Sequence, residues 1–187
     1  DGTVEDIHLT YLDIRFSNIC NMRCRTCGPD LSSQWFQDAV DSKFNRTPDE
    51  AIKQIRKGNT SFMEQFDPYI HTIEKIYWAG GEPLIMDEHW YIMNKLVEMG
   101  RTKRNTPMRV FYNTNFSKLT YKDQDAIELW KHFDEVSIGA SLDASGKKAE
   151  YLRKGTVWSE TLENRWRLKK ELPQHDAAPR RRPRRAD

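Results

Sequence analysis

Three cysteines fall within eight positions of this 187-residue chain, in the run Cys20-Asn21-Met22-Arg23-Cys24-Arg25-Thr26-Cys27, and the sequence holds no others. An odd number of thiols in one Cys-x-x-x-Cys-x-x-Cys run cannot supply the even framework of a disulfide-stapled domain. Thiolates this close together can instead converge on one soft metal centre from a single loop. A closed structural zinc site needs a fourth ligand and draws on two separated pairs, and here there is no second pair. His8 is the nearest histidine, but it precedes the first strand, toward its opposite end. Three thiolates without a fourth suit an iron–sulfur cluster with one open iron, where a small molecule can bind. On spacing alone, another metal or a redox role stays open.

The length fits one domain with a real core, though it is short for a complete barrel. Hydrophobic residues make up 37% of the chain, enough for such a core, while 31% charged residues and a mean hydropathy of −0.84 imply a polar surface. No apolar run approaches the roughly 20 residues that span a bilayer, and no charged-then-apolar leader opens the chain. The expected location is the cytoplasm, whose reducing conditions keep thiolates free. Residues 173–187 hold five Arg and two Asp, a charge of +3 against +2 for the whole chain, so the rest is almost neutral at −1. The body therefore lacks the broad basic face of a nucleic-acid binder. The Ala-Pro-Arg string itself cannot pack a core and is expected to be disordered.

Leu12, Ile14 and Phe16 alternate with Asp13, Arg15 and Ser17, which predicts a strand over Leu9 to Asn18 with one buried face. It leads straight into the cysteine loop. Gly28-Pro29-Asp30 marks a turn, and Ser32 to Val40 reads as a short helix. Asp41 to Gly58 is charged and poorly periodic, a surface insertion with helix over Pro48 to Lys57. A second strand, Ile73 to Ala79, ends in Gly80-Gly81-Glu82-Pro83. Paired glycines let backbone carbonyls approach a ligand, and the adjoining carboxylate can attract an ammonium group. Asp87 to Met99 has helical spacing, with Trp90, Met93 and Val97 among its apolar positions, and Gly100 closes it. A third strand, Met108 to Asn115, carries Asn113 and Asn115 at its end, where they can reach ligand hydroxyls or serve as turn residues. Tyr121 to Phe133 reads as helix. A fourth strand, Glu135 to Asp143, ends in Ser141-Leu142-Asp143, and Trp158 to Lys170 is a further helix with Ser159 as candidate N-cap. This alternation predicts an α/β fold of parallel strands joined by right-handed crossovers, with every candidate ligand past a strand's C-terminal end.

The cysteine spacing after a first strand, with Gly80-Gly81-Glu82-Pro83 after the second and Ser141-Leu142-Asp143 followed by Tyr151-Leu152-Arg153-Lys154-Gly155 after the fourth, resembles the radical S-adenosylmethionine (SAM) superfamily. The resemblance covers roughly residues 8–171. It implies a partial parallel (β/α) barrel, of which about four of six strand–helix units are present in a core spanning 1–172. It implies a 4Fe–4S cluster on Cys20, Cys24 and Cys27, with SAM chelating the fourth iron. SAM would be held by Gly80, Gly81, Glu82, Pro83, Asn113, Asn115, Ser141, Asp143 and Arg153. Within that set, Gly-Gly-Glu-Pro would meet the methionyl amino group, Ser141 the ribose or carboxylate, and Arg153 the carboxylate, whose shape its planar fork matches. The implied reaction is reductive cleavage of SAM to methionine and a 5′-deoxyadenosyl radical, which takes hydrogen from an unreactive C–H bond. An external electron donor such as flavodoxin or ferredoxin is implied too. Ser141 to Asn164 is closest to members with auxiliary-cluster (twitch/SPASM-like) extensions, many of which modify peptides, which points to a peptide substrate.

Two features depart from the pattern. The fifth and sixth strands are not found, so truncation or a frameshift is the expected origin of the Arg-rich end. Thr26 stands where many members carry an aromatic residue that flanks adenine, so this loop offers adenine less apolar area. An iron–sulfur electron-transfer protein without radical catalysis is the alternative reading.

Overall fold

The computed structural model describes residues 2, 8–36, 38, 66–101 and 108–173. The surface insertion expected at 41–58 lies outside these residues, as does the disordered end expected at 173–187 apart from Pro173.

Four strands form one parallel sheet: β1 (Tyr11–Ile14), β3 (Lys75–Trp78), β4 (Arg109–Thr114) and β7 (Glu135–Ala140), paired in that order. Register runs Leu12 to Ile76, Ile76 to Val110 and Val110 to Val136, so like-facing apolar residues align in rows across the sheet. Leu12, Ile14, Ile76, Trp78, Val110, Tyr112, Val136 and Ile138 are buried on one face. Period-two alternation places them there, and burying each such side chain is worth roughly 1.5–3 kcal/mol. Against that face lie α2 (Asp87–Glu98), through Trp90, Ile92, Met93 and Leu96, and α3 (Ala126–Trp130), through Ile127 and Trp130. The other face carries Tyr11, Asp13, Lys75, Tyr77, Phe111, Asn113 and Ser137, all exposed or half-buried among the described residues. Parallel sheets are ordinarily covered on both faces. Among the described residues, helices pack against one side of this sheet only.

The remaining elements are short. The first ribbon pairs β2 (Arg23–Cys24) with β8 (Arg153–Lys154), and the second pairs β5 (Thr120–Tyr121) with β6 (Gln124–Asp125), both antiparallel. Helices α1 (Asp67–Ile70), α4 (Gly146–Leu152) and α5 (Trp158–Glu171) complete the set. No helix is long and apolar enough to cross a membrane among the described residues.

Several expectations need correction. The helix expected over Tyr121 to Phe133 is the β5–β6 ribbon followed by the five-residue α3. Lys122 turns the ribbon at φ +53°, and the Asp125 carboxylate caps α3 by accepting from the Ile127 and Glu128 N–H groups. Ser159 is not an N-cap; Val157 holds that position, and Glu150 on α4 accepts from the Trp158 N–H at 3.1 Å instead. The helix expected from Ser32 begins as a 3-10 turn, Ser33–Trp35, capped by Ser32. Helix α4 has no counterpart in the sequence reading. Gly100 does close α2: at φ +67° it donates to the Val97 carbonyl while Arg101 donates to Leu96, the Schellman pattern.

One polar group sits deep in this core. His89 on α2 is fully buried, edge-on to Trp78 and Trp90, with Nε2 at 2.8 Å from the Tyr112 hydroxyl and Nδ1 unpartnered. Burial alone pushes its pKa down to about 3. The unfolded chain then binds a proton below about pH 6.5 that the folded chain refuses, so stability present above that pH is lost as pH falls toward 3. Glu82 titrates in the opposite sense, so the comparison must be with a variant. Between pH 7 and pH 5, urea unfolding of the wild type should lose about 2 kcal/mol more than His89→Phe does. Equal pH dependence in the two proteins would show that His89 does not carry this proton linkage.

Candidate metal centre

The strand β1 delivers the chain to the sheet's C-terminal edge, and the cysteine loop is built there from neighbouring loops. Ile19 accepts a backbone bond from Glu82 at 2.8 Å. Gly81, at φ +52°, lies so close that a Cβ on it would stand 2.1 Å from the Ile19 carbonyl oxygen. A Cβ on Gly80 would meet the Arg15 side chain at 2.8 Å. The paired glycines therefore serve first to let the loop after β3 pack onto the loop after β1. From the other sides, Ser32 Oγ donates to the Met22 carbonyl at 2.6 Å, Trp35 Nε1 to the Cys24 carbonyl at 3.0 Å, and Asn18 Nδ2 to the Pro29 carbonyl at 2.8 Å. Gly155, at φ +109°, fits against Asn21 and Met22.

All three cysteines are free thiols; Cys20 and Cys24 are buried and Cys27 is half-buried. Each sulfur is met by at least one polar hydrogen. Cys20 Sγ accepts from the Met22 N–H at 3.4 Å and from Asn115 Nδ2 at 3.8 Å, and Cys24 Sγ from Arg153 Nη1 at 3.5 Å. Cys27 is met by the Cys24 thiol and the Thr26 hydroxyl. The hydrogen bond between Cys24 and Cys27, together with burial, raises Cys24 above the ordinary thiol range. Cys27 is drawn below that range by the same bond and by Arg153. Burial raises Cys20. Among the described residues no set of three His, Cys, Asp or Glu side chains, the cysteines included, is closed into a coordination group. The chemistry of the donor set nevertheless fits a thiolate-ligated cluster. Three sulfurs share one loop, each faces a polar hydrogen, and such hydrogen bonds stabilise thiolates and tune cluster potential.

Glu82 is fully buried and braces the edge. Its Oε1 accepts from Thr114 Oγ1 at 2.6 Å and the Leu84 N–H at 3.2 Å, and its Oε2 from the Asn115 N–H at 2.6 Å. Burial raises its pKa to about 7 against those bonds. Both carboxylate oxygens are engaged inside the protein, so the pull on a ligand ammonium expected of this side chain is not available to it as placed. The backbone of Gly80 and Gly81 remains beside the cysteine loop, and Pro83 is buried at the start of a 3-10 turn.

Asn115 joins this brace to the cysteines. Its Nδ2 donates to Asn21 Oδ1 at 2.8 Å, Asn21 Nδ2 donates to Ser117 Oγ at 2.9 Å, and Ser117 Oγ donates back to Asn115 Oδ1 at 2.6 Å. Asn164 on α5 donates to the Phe116 and Ser117 carbonyls, both at 3.0 Å. Phe116, buried at φ +60°, carries backbone strain at this same edge. Sequence reading missed Asn21, Thr114, Ser117 and Asn164. Asn21 lay inside the cysteine spacing itself, but nothing in the pattern marked its partner.

The other expected residues divide. Asn113 stands apart on the uncovered sheet face, donating to the Tyr77 hydroxyl. Ser141 follows β7 and is tied by its N–H to the Thr114 carbonyl at 2.8 Å. Asp143, at φ +58°, places Oδ2 2.8 Å from Arg153 Nε, off the line of that N–H. Arg153 thus spans Asp143 and Cys24 rather than standing alone. A small cleft of about 80 Å³ opens at the same edge between Phe116, Ala140, Leu142, Trp158 and Leu162. His8 is exposed, before the start of β1 and away from the cysteines.

Glu82→Gln tests the brace. If the amide oxygen keeps Thr114 and Leu84, its NH₂ must face the Asn115 N–H, leaving donors opposed in a buried site. We expect about 1–3 kcal/mol of lost stability by chemical denaturation. An unchanged midpoint would mean that the carboxylate is not the brace described. No protein-family model matches the chain, and no curated protein matches it.

Proposed function

We propose that this chain is the core of a radical SAM enzyme, with Cys20, Cys24 and Cys27 as ligands of a 4Fe–4S cluster. One observation carries the reading: three free thiols, each met by a polar hydrogen, lie in one loop packed against Gly80-Gly81 at the C-terminal edge of a parallel sheet. The uncovered sheet face supports the finer architecture. Helices on one side only suit a partial (β/α) barrel whose inner face is the open one, with four strand–helix units among the described residues.

Held by Cys20, Cys24 and Cys27, a bound cluster would supply the one-electron chemistry for reductive cleavage of SAM to methionine and a 5′-deoxyadenosyl radical able to take hydrogen from a C–H bond. The protein's share is binding and orientation. Arg153 and Asn115 hold Cys24 and Cys20 through N–H···S bonds. Gly80 and Gly81 offer backbone without Cβ atoms at the loop where an amino group is to be held. Ser141, Asp143 and Arg153 line the end of β7, and the apolar cleft beside Leu142 and Trp158 offers a ring the surface that Thr26 does not. The external electron donor, the peptide substrate and the cytoplasmic location belong to the same proposal.

Anaerobic reconstitution with iron and sulfide, reduction, and addition of SAM should yield 5′-deoxyadenosine. Cys24→Ala should lose both the cluster absorbance and the product. A wild-type cluster that is reduced and reoxidised without consuming SAM would replace this reading with an electron-transfer protein. Full iron content in Cys24→Ala would remove its foundation.

A further inference from the structure

The ribbon β2–β8 has two unlike faces. Cys24 and Arg153 are opposite one another and turn inward, where Arg153 Nη1 reaches the Cys24 sulfur. Arg23 and Lys154 are the next opposed pair and alternate to the outer face. Arg25 extends that outer row: its N–H donates to the Leu152 carbonyl at 2.8 Å, and its guanidinium lies 3.9 Å over the exposed Tyr151 ring. Tyr151 in turn shares a helical face with Lys147 and Lys148, one turn earlier on α4. The outer surface directly behind a cysteine is therefore a continuous run of Arg23, Arg25, Lys147, Lys148 and Lys154 around one exposed tyrosine.

Carboxylates temper two of these cations, Asp38 against Arg23 at 2.5 Å and Glu150 against Lys147 at 3.0 Å. Arg25, Lys148 and Lys154 are exposed and have no carboxylate partner among the described residues. The overall charge of the chain is almost balanced, so this local excess is not a general property of its surface.

We infer that the outer face of the β2–β8 ribbon, with Arg25, Lys148 and Lys154 at its centre, docks an acidic one-electron carrier protein that reduces the metal centre from behind Cys24. This rests on the reading of the cysteines as cluster ligands. Cys24 is buried on the inner side of this two-stranded ribbon, so a carrier seated on the outer face would lie one ribbon's thickness from a cluster ligand. Complementary charge would bring an acidic carrier to that point and orient it. The two rings here, exposed Tyr151 under Arg25 and half-buried Trp35 under Arg23, are each already covered by an arginine and offer little stacking for a nucleic acid strand, which ordinarily meets several open aromatic platforms. The carrier protein is thus the better fit.

The test uses the reconstituted chain, with chemically reduced flavodoxin as the probe and Lys148→Glu/Lys154→Glu as the variant. Neither lysine lies in the cysteine loop. Excess dithionite should reduce wild type and variant to the same extent, showing that the cluster is intact. Reduction by flavodoxin should slow about tenfold or more in the variant at low ionic strength, and its salt dependence should flatten. Lys169→Glu/Lys170→Glu on α5, with the same change in net charge, should behave as wild type. Equal flavodoxin rates in all three proteins would overturn the inference. So would loss of binding to a short RNA oligonucleotide in the ribbon variant with flavodoxin reduction unchanged. Failure of the wild type to assemble any cluster would overturn the cluster reading beneath it, and the dithionite measurement separates that outcome from a failure of docking.

Discussion

The approach of Gly81 to the Ile19 carbonyl is the contact on which the C-terminal edge depends. With any Cβ there, the loop after β3 could not lie on the loop after β1, because a carbon 2.1 Å from a carbonyl oxygen forces backbone to move. With glycine there, the Glu82 N–H reaches that same carbonyl and the Glu82 side chain is carried inward to Thr114 and Asn115. Asn115 passes the constraint back to Asn21 and Cys20. Three strand ends are thus tied into one frame by a missing side chain and a buried carboxylate. The carboxylate is costly to bury, which its raised pKa of about 7 expresses, and hydrogen bonds from Thr114, Leu84 and Asn115 offset part of that cost.

The sheet behind this frame is asymmetric, and its two faces serve different ends. The covered face holds the aromatic and aliphatic core, including a buried neutral histidine that resists protonation. The uncovered face is a mixture of charge and aromatic rings. There Lys75 Nζ lies 4.8 Å from the Tyr11 ring centre and 4.9 Å from that of Phe111. The cysteine loop closes the end of the sheet between the two faces.

Periodicity made the four long strands and α2 legible, because alternation and helical spacing leave a repeating mark over many residues. The cysteine loop was legible for a different reason: its residue type is rare and its spacing is fixed. The error over Tyr121 to Phe133 came from short elements, where a two-residue ribbon has no period to read and Asp125 resembles any helix-compatible acid until its carboxylate is seen capping α3. Glu82 was singled out from its place beside two glycines, yet its direction was not readable. Whether a carboxylate turns toward a ligand or toward Thr114 depends on a residue thirty-two positions away. Arg153 and Asp143 were each expected at the site, but their pairing was hidden because no helix was expected between them. The ring of Asn21, Asn115 and Ser117 spans nearly a hundred positions, and only the folded chain brings it together.

In the proposed centre, three thiolates would leave one iron open to a small molecule. Electron paramagnetic resonance of the reconstituted, reduced protein, recorded with and without SAM, tests this most directly. A reduced 4Fe–4S signal whose shape changes when SAM is added is the expected result. A signal indifferent to SAM, or no paramagnetic cluster at all, would contradict it.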